Sequence, residues 1–406
     1  MRISTNAIYQ QGLAGMQRQQ TDLVRTQQQM SQGTRMLSPS DDPVAAARVL
    51  LVEQASATNE QYKVNRGAAR SALGIEEGVL ASIGDLLQQV RTSVVYAGNP
   101  TLTNSDRAML VTELNSRFQE LMGLANSTDG AGLYLFSGYQ GATRPYSGAP
   151  GGVTYSGDQG QRLLQAGATR QIPVSDSGAD VFERIKTGNG AFFARAAAAN
   201  TGTGVVGPGA VINPAAQTGH SYEIRFNVVA GVTTYDVVDT TTGAAVPAPA
   251  AAGNPYTEGG TITFDGMQLD VKGVPADKDK FVVTPSTSQS VFRTMSDIIA
   301  AIGAQVVDPA GSARLANAIN TGLSNLDRAL DNVLSVRADV GARLNELDSL
   351  DKLGEDMALQ YSGTVSELKD LDYAAAASDL TRQKVLLEAA QKSFTKITGM
   401  SLFDFI

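Results

Sequence analysis

The longest regular pattern in the chain is an apolar stripe through Ile319, Leu323, Leu326, Leu330, Val333, Val336, Val340, Leu344, Leu347, Leu350, Leu353, Met357, Tyr361, Val365, Leu368 and Leu371. Every step is three or four residues, and the mean is close to the ~3.5 of a coiled coil rather than the ~3.6 of a straight helix. Arg337, Asp339, Arg343, Glu346, Asp348 and Asp351 lie on its flanks. An ordinary bundle helix is the plainer reading. The stripe outruns one compact core, however, and predicts coiled-coil-like packing.

The N-terminal pattern is thinner. Met16, Leu23 and Met30 recur at seven-residue steps behind Ile3, Tyr9 and Leu13, and the positions between them are crowded with glutamines. So thin a stripe buries too little surface to hold a helix against chain entropy, which predicts a segment that orders only against partners. Ser38-Pro39-Ser40-Asp41-Asp42-Pro43 then punctuates the chain. Pro39 disfavours helix at Ser38, Asp42 suits an N-cap, and Pro43 suits the first helical position. The helix that follows runs through Val49, Val52, Leu73, Val79, Ile83, Leu86, Val90 and Val94 to a stop at Gly98-Asn99-Pro100. Another begins near Asn104 or Ser105.

From about 139 to 285 the chain turns rich in Gly, Thr, Pro and Val. Alternation predicts strands over 152–155, 222–229, 234–238, 261–264, 267–271 and 281–284, with turns at Gly157-Asp158, Thr242-Gly243 and Asp265-Gly266. A short helix is expected over 179–186, and an exposed loop over 243–255. Helical pattern resumes near 287. Helical ends around a β-rich middle imply an α+β fold: the two ends meet in space, paired as a coiled coil or helical bundle, and the antiparallel β-rich domain is an insertion.

Composition narrows the chemistry. The 406 residues suffice for two or three domains, and 42% are hydrophobic, but only 6% are aromatic and none is Trp. A net charge of −8 without a clustered basic face argues against nucleic acid. No Cys is present, so disulfides, thiolate metal sites and Cys nucleophiles are unavailable. The single histidine, His220, reads as a turn or surface residue, because zinc sites and Ser-His-Asp triads need His with partners. The N-terminus shows no Sec leader pattern, and no run approaches the ~20 apolar residues of a membrane span. The expectation is no catalytic, cofactor or metal site, and no membrane partner.

Three blocks together resemble the flagellin-like family, on its hook-associated side. The first is Met1-Arg2-Ile3-Ser4-Thr5 with Met30-Ser31-Gln32-Gly33-Thr34-Arg35-Met36 and the Asp41-Asp42-Pro43 helix start. The second is Gly132-Leu133-Tyr134-Leu135-Phe136-Ser137-Gly138-Tyr139, similar to the family's exit from helical core to β domain. The third is the ending Ser401-Leu402-Phe403-Asp404-Phe405-Ile406. Filament flagellins more often continue Asp-Asp-Ala-Ala-Gly and end in paired leucines. Gly273 to Phe281 resembles a strand turn of hook-associated proteins, but Lys278 stands where that pattern has Gly.

The resemblance implies a structural subunit of the bacterial flagellum, extracellular, exported unfolded through the flagellar type III apparatus, and assembled through its terminal helices. Residues 1–42 and 365–406 would form the polymerising coiled coil, 43–142 and 286–364 a helical bundle, and 143–285 a surface β-rich domain. The expected assembly residues are Ile3, Leu13, Met16, Leu23, Met30, Leu380, Leu387, Phe394, Ile397, Leu402, Phe403, Phe405 and Ile406. Leu380, Leu387, Phe394 and Ile397 are also expected to meet an export chaperone. The other implied partners are neighbouring copies, hook-associated protein 1 on the hook side and flagellin on the filament side. Alternatives are a filament flagellin, a flagellum-displayed hydrolase using two carboxylates, and a generic coiled-coil scaffold or adhesin.

Overall fold

The computed structural model describes residues 5–246 and 253–399, without the side chains of 5–8 and 397–399. Its α-helices are α1 (Thr5–Gln32), α2 (Pro43–Ala97), α3 (Asn104–Ala125), α4 (Val291–Gly303), α5 (Pro309–Lys369) and α6 (Tyr373–Gly399). Every described strand lies between α3 and α4, so the fold is α+β with a β-rich insertion, as the composition shift predicts.

Local chemistry sets the helix boundaries. Asp42 Oδ1 accepts from the Ala45 amide at 3.0 Å, which caps α2 directly before Pro43. Helix α2 ends at Ala97, before Gly98-Asn99-Pro100. Thr103 and Asp106 form a reciprocal capping box on α3. Asp372 Oδ1 accepts from the Ala374 and Ala375 amides at 2.9 and 3.0 Å and so starts α6. The last stripe residue, Leu371, falls in the turn before α6 rather than on α5.

The chain divides into two compact units, Asn65–Asp348 and Met1–Val64 with Ser349–Ile406. The first holds nearly all the buried apolar side chains. In its helical part, Leu73, Leu80, Ile83, Val90 and Val94 of α2 are buried, as are Leu114, Phe118 and Leu121 of α3 and Ile319, Leu326, Val333, Val340 and Leu347 of α5. An aromatic cluster closes this core: Tyr146 packs on Phe292 at 4.9 Å and on Phe182 at 5.4 Å, and its hydroxyl donates to the Gly178 carbonyl at 2.8 Å. Burial pushes the Tyr146 phenol well above its ordinary value, so it stays a neutral donor.

In the β-rich part the main strands are β1 (Phe192–Ala196), β2 (Tyr222–Val229), β3 (Val232–Asp239), β4 (Thr261–Phe264), β5 (Met267–Lys272) and β6 (Lys280–Pro285). One antiparallel sheet runs β3-β2-β6-β1, with the short strands Ala245–Val246 and Asn254–Pro255 on β3. A second joins β4 to β5, and β5 also pairs with Val205–Val206 and Ala210–Val211. Inward residues of both sheets, among them Tyr222, Ile224, Phe226, Phe264, Leu269, Val271 and Phe281, make one core. Val229 pairs with Val232 and Phe264 with Met267. Each two-residue turn therefore has both centres at positive φ: Ala230 at 49° and Gly231 at 79°, Asp265 at 47° and Gly266 at 70°.

Three sequence expectations are refined. The helix expected over 179–186 is a five-residue helical turn, Ala179–Glu183. The segment 243–255 is bordered by strand pairing at 245–246 and 254–255, and 247–252 lie outside the described residues. At the position where the family pattern has Gly, Lys278 keeps the left-handed conformation, φ 67°. Neighbouring Asp279 holds that turn, its carboxylate accepting the amides of Thr201, Gly202 and Ala276. Those three bonds outweigh the ~1–2 kcal/mol that a β-carbon costs there.

A buried charged group also lies in this unit. Arg343 grips Asp176 through two hydrogen bonds of 2.9 Å, and Glu76 Oε1 accepts the Asp176 amide at 2.9 Å. Burial first, and the Asp176 carboxylate second, raise Glu76 from an ordinary 4.5 to about 7. A raised acid contributes stability below its unfolded value and loses it as pH rises through the folded value. Unfolding free energy should therefore fall on the order of 2 kcal/mol between pH 5 and pH 7.5 through this group, and Glu76→Gln should flatten that slope in urea titrations followed by circular dichroism. Along the long stripe, Leu326→Ala should cost about 3 kcal/mol in the same assay. Met357→Ala, 39% exposed in the terminal unit, should cost less than about 1 kcal/mol.

Candidate assembly surface

In the terminal unit, α1 and α6 lie antiparallel. Tyr9 and Phe394 pack with tilted rings, centroids 5.1 Å apart, near one end. Thr26 Oγ1 donates to Gln383 Oε1 at 3.1 Å, and Leu371 N donates to Gly33 O at 3.0 Å near the other. The two breaks, 33–36 and 370–372, sit side by side: Thr34 bridges Asp370, and Arg35 N donates to Lys369 O at 2.8 Å. Gly33 is needed there, because its φ is 72° and the Tyr373 hydroxyl would lie 3.0 Å from a β-carbon.

The covered positions on each helix follow steps of three and four. On α1 they include Gly12, Met16, Gln19, Leu23, Thr26 and Met30; on α6 they include Ala376, Leu380, Gln383, Leu387, Ala390 and Phe394. This is a coiled-coil seam in which every second position is small or polar. Gly12 is one of them, and a β-carbon on it would come within 2.9 Å of the Phe394 ring. Gln19 is another, and its buried Oε1 lacks a hydrogen-bond partner among the described residues. Only Thr26 and Ala376 are buried among the described side chains of these two helices. Among the described side chains of the terminal unit the buried hydrophobic residues are Ala45, Val49 and Ala376.

Met16, Leu23, Met30, Leu380, Leu387 and Phe394 thus stand half-buried on the in-chain seam. Leu13 falls one position beyond it and is 40% exposed. Ile3, Leu402, Phe403, Phe405 and Ile406 lie outside the described residues, as does the side chain of Ile397. Several large apolar side chains that the seven-residue spacing does not select are more exposed than the seam: Val385 and Leu386 on α6, 59% and 48%, and Val44, Leu50 and Leu51 on α2, each 66%. The signal was in the sequence. Val385-Leu386-Leu387 puts three large apolar residues in a row, and a helix can turn only one or two of them to a single partner.

The turn between α1 and α2 is held by one carboxylate. Asp41 Oδ2 accepts the Leu37 and Ser38 amides at 2.9 and 3.1 Å, and its Oδ1 pairs with Arg25 at 3.0 Å. The two amides hold the Asp41 carboxyl below the usual carboxylate range. In the other unit, His220 lies in the loop before β2 with Nδ1 2.7 Å from Asp239 Oδ2, and Asp239 also accepts from Thr241 and Thr242 in the turn after β3. That carboxylate is built into the turn.

The model of the bacterial flagellin N-terminal helical region matches residues 3–141. Over 404 residues the chain is 31% identical to flagellar hook-associated protein 3 of Salmonella typhimurium strain LT2, covering 100% of this chain and 99% of that one. Two crystal structures from Legionella pneumophila share the fold. Flagellar hook associated protein-3 has a TM-score of 0.76 at 34% identity, over 79% of this chain and 98% of its own. The flagellar junction protein FlgL has 0.73 at 34%, over 80% and 100%. Full-length identity, the matching fold and the flagellin-type N-terminal helices lead to one assignment: this chain belongs to the flagellar hook-associated protein 3 family.

Proposed function

We propose that this chain is the structural subunit that joins hook to filament in the bacterial flagellum. Its terminal helices complete their packing on neighbouring copies. The supporting observation is the imbalance among the described residues of the terminal unit, where three small or medium apolar side chains are buried while Val44, Leu50, Leu51, Val385 and Leu386 face solvent. Each large apolar side chain taken from water to a protein interior contributes about 1.5–3 kcal/mol. The exposed set is therefore a strong drive to association, and ordering of the ends and assembly become one event.

In this reading the partners are neighbouring copies, hook-associated protein 1 on one side and flagellin on the other. The chain reaches the cell exterior through the flagellar type III apparatus, and an export chaperone covers the α6 face around Leu380, Leu387, Phe394 and Ile397 beforehand. Residues 1–42 with 365–406 serve as the polymerising region, 43–142 with 286–364 as a bundle around it, and 143–285 as the outward domain. The filament-flagellin alternative predicts long filaments from the purified chain, which a junction subunit does not form.

Deleting the gene should leave hooks without filaments and flagellin in the culture medium, and restoring the full chain should restore filaments. Filaments of normal number without the gene would contradict the proposal. Val385→Asp with Leu386→Asp should lower association by about 3–5 kcal/mol and fail to restore filaments, yet leave the helix content of the monomer unchanged. Phe394→Ala, which empties the in-chain seam, should instead lower that helix content. Circular dichroism of the two purified proteins separates the roles.

A further inference from the structure

The terminal unit contains an apolar cleft of about 470 Å³ where the α1–α2 turn folds over the start of α2, lined chiefly by Met36, Leu37, Pro39, Pro43, Val49 and Leu50. The Glu53–Lys369 ion pair, 3.5 Å, stands at its edge. The chain also carries a strongly apolar segment beyond the described residues. Four of the five residues Leu402-Phe403-Asp404-Phe405-Ile406 are large and apolar, and the only charged side chain among them, Asp404, is opposite in sign to Lys369 at the rim. We propose that this cleft receives the Leu402–Ile406 segment of a second copy of the chain. The inference rests on the assembly reading above and names the surface that the tail engages.

Distance is what assigns the tail to another copy. Leu37 and Ser38 of the cleft are tied through Asp41 to Arg25, one residue before Thr26, and Thr26 faces Gln383 on α6. From Gln383 to Gly399 the helix advances about 24 Å, and from Tyr373, whose hydroxyl lies against Gly33, about 39 Å. Beyond Gly399 an extended chain gains at most about 3.4 Å per residue, which keeps Phe403 within about 14 Å and Phe405 within about 20 Å of that point. Neither ring reaches back to the cleft of its own chain while α6 stays helical. A neighbour's cleft is under no such limit.

The chain's lack of cysteine makes the test clean. Full-length Leu50→Cys and Phe403→Cys chains, differently tagged, are co-expressed in cells lacking the native gene, and the flagella are oxidised. A disulfide closes only where Cα atoms come within about 7 Å. The mixed Leu50→Cys/Phe403→Cys dimer should exceed a Leu50→Cys/Val385→Cys control at least fivefold. Ala47→Cys with Phe405→Cys, run in parallel, should give the same dimer should the first pair fail to build filaments. Filaments without the mixed dimer in either pair would overturn the cleft assignment and leave the junction reading standing. A stronger dimer from Val385→Cys would overturn it in favour of α6 as the occupant. A doubly substituted chain that cyclises within one molecule would overturn the second copy.

Discussion

The seam between α1 and α6 is a coiled coil with half its apolar positions missing. Leu23, Leu380, Leu387 and Phe394 supply contact, but they alternate with Gly12, Gln19, Thr26, Gln383 and Ala390. Ordering backbone costs roughly 1–2 kcal/mol per residue, and isolated helices repay little of it without a buried face. In the proposed assembly such a pair gains the rest of its cover from neighbouring copies. The surface it offers in exchange is on its outside, at Val385 and Leu386.

The body of the molecule is built on the opposite principle. From Asn65 to Asp348 the helices and both sheets close their own cores, with Leu73, Phe118, Leu326 and Phe281 fully buried. Helix α5 carries the same stripe through both regimes. Val340 and Leu347 are buried, while Leu353 is 50% exposed a few residues later on an unbroken helix. One apolar pattern is therefore buried at one end of the helix and open to solvent at the other. The breaks at Gly33 and Asp372 separate the terminal pair from the rest with side-chain caps and a left-handed glycine, which need no core to form.

Much of this was legible in the residues. Asp42 and Pro43 announced the start of α2, and Asp265-Gly266 announced the turn between β4 and β5, because cap and turn chemistry is local. Alternation in Tyr222–Val229 gave β2 its full length. Short strands such as Leu163–Gln165 and Gln171–Pro173 carry too few residues for a period to register, and only pairing defines them. The seam was half legible. Its heptad step stood out at Leu380, Leu387 and Phe394, whereas the intervening positions, being polar or small, left no hydrophobic trace. Lys278 shows the limit from the other side: a left-handed φ on a lysine is imposed by the Asp279 hydrogen bonds, which the sequence does not advertise.

Amide hydrogen exchange, measured by mass spectrometry on the free chain and on chain assembled into flagella, bears most directly on an incomplete terminal pair. In the free chain, peptides from α1 and α6 should exchange within seconds, while peptides spanning 319–347 stay protected to the global limit; on assembly, α1 and α6 should slow by several orders of magnitude. Protection of α6 in the free chain equal to that of 319–347 would contradict the account.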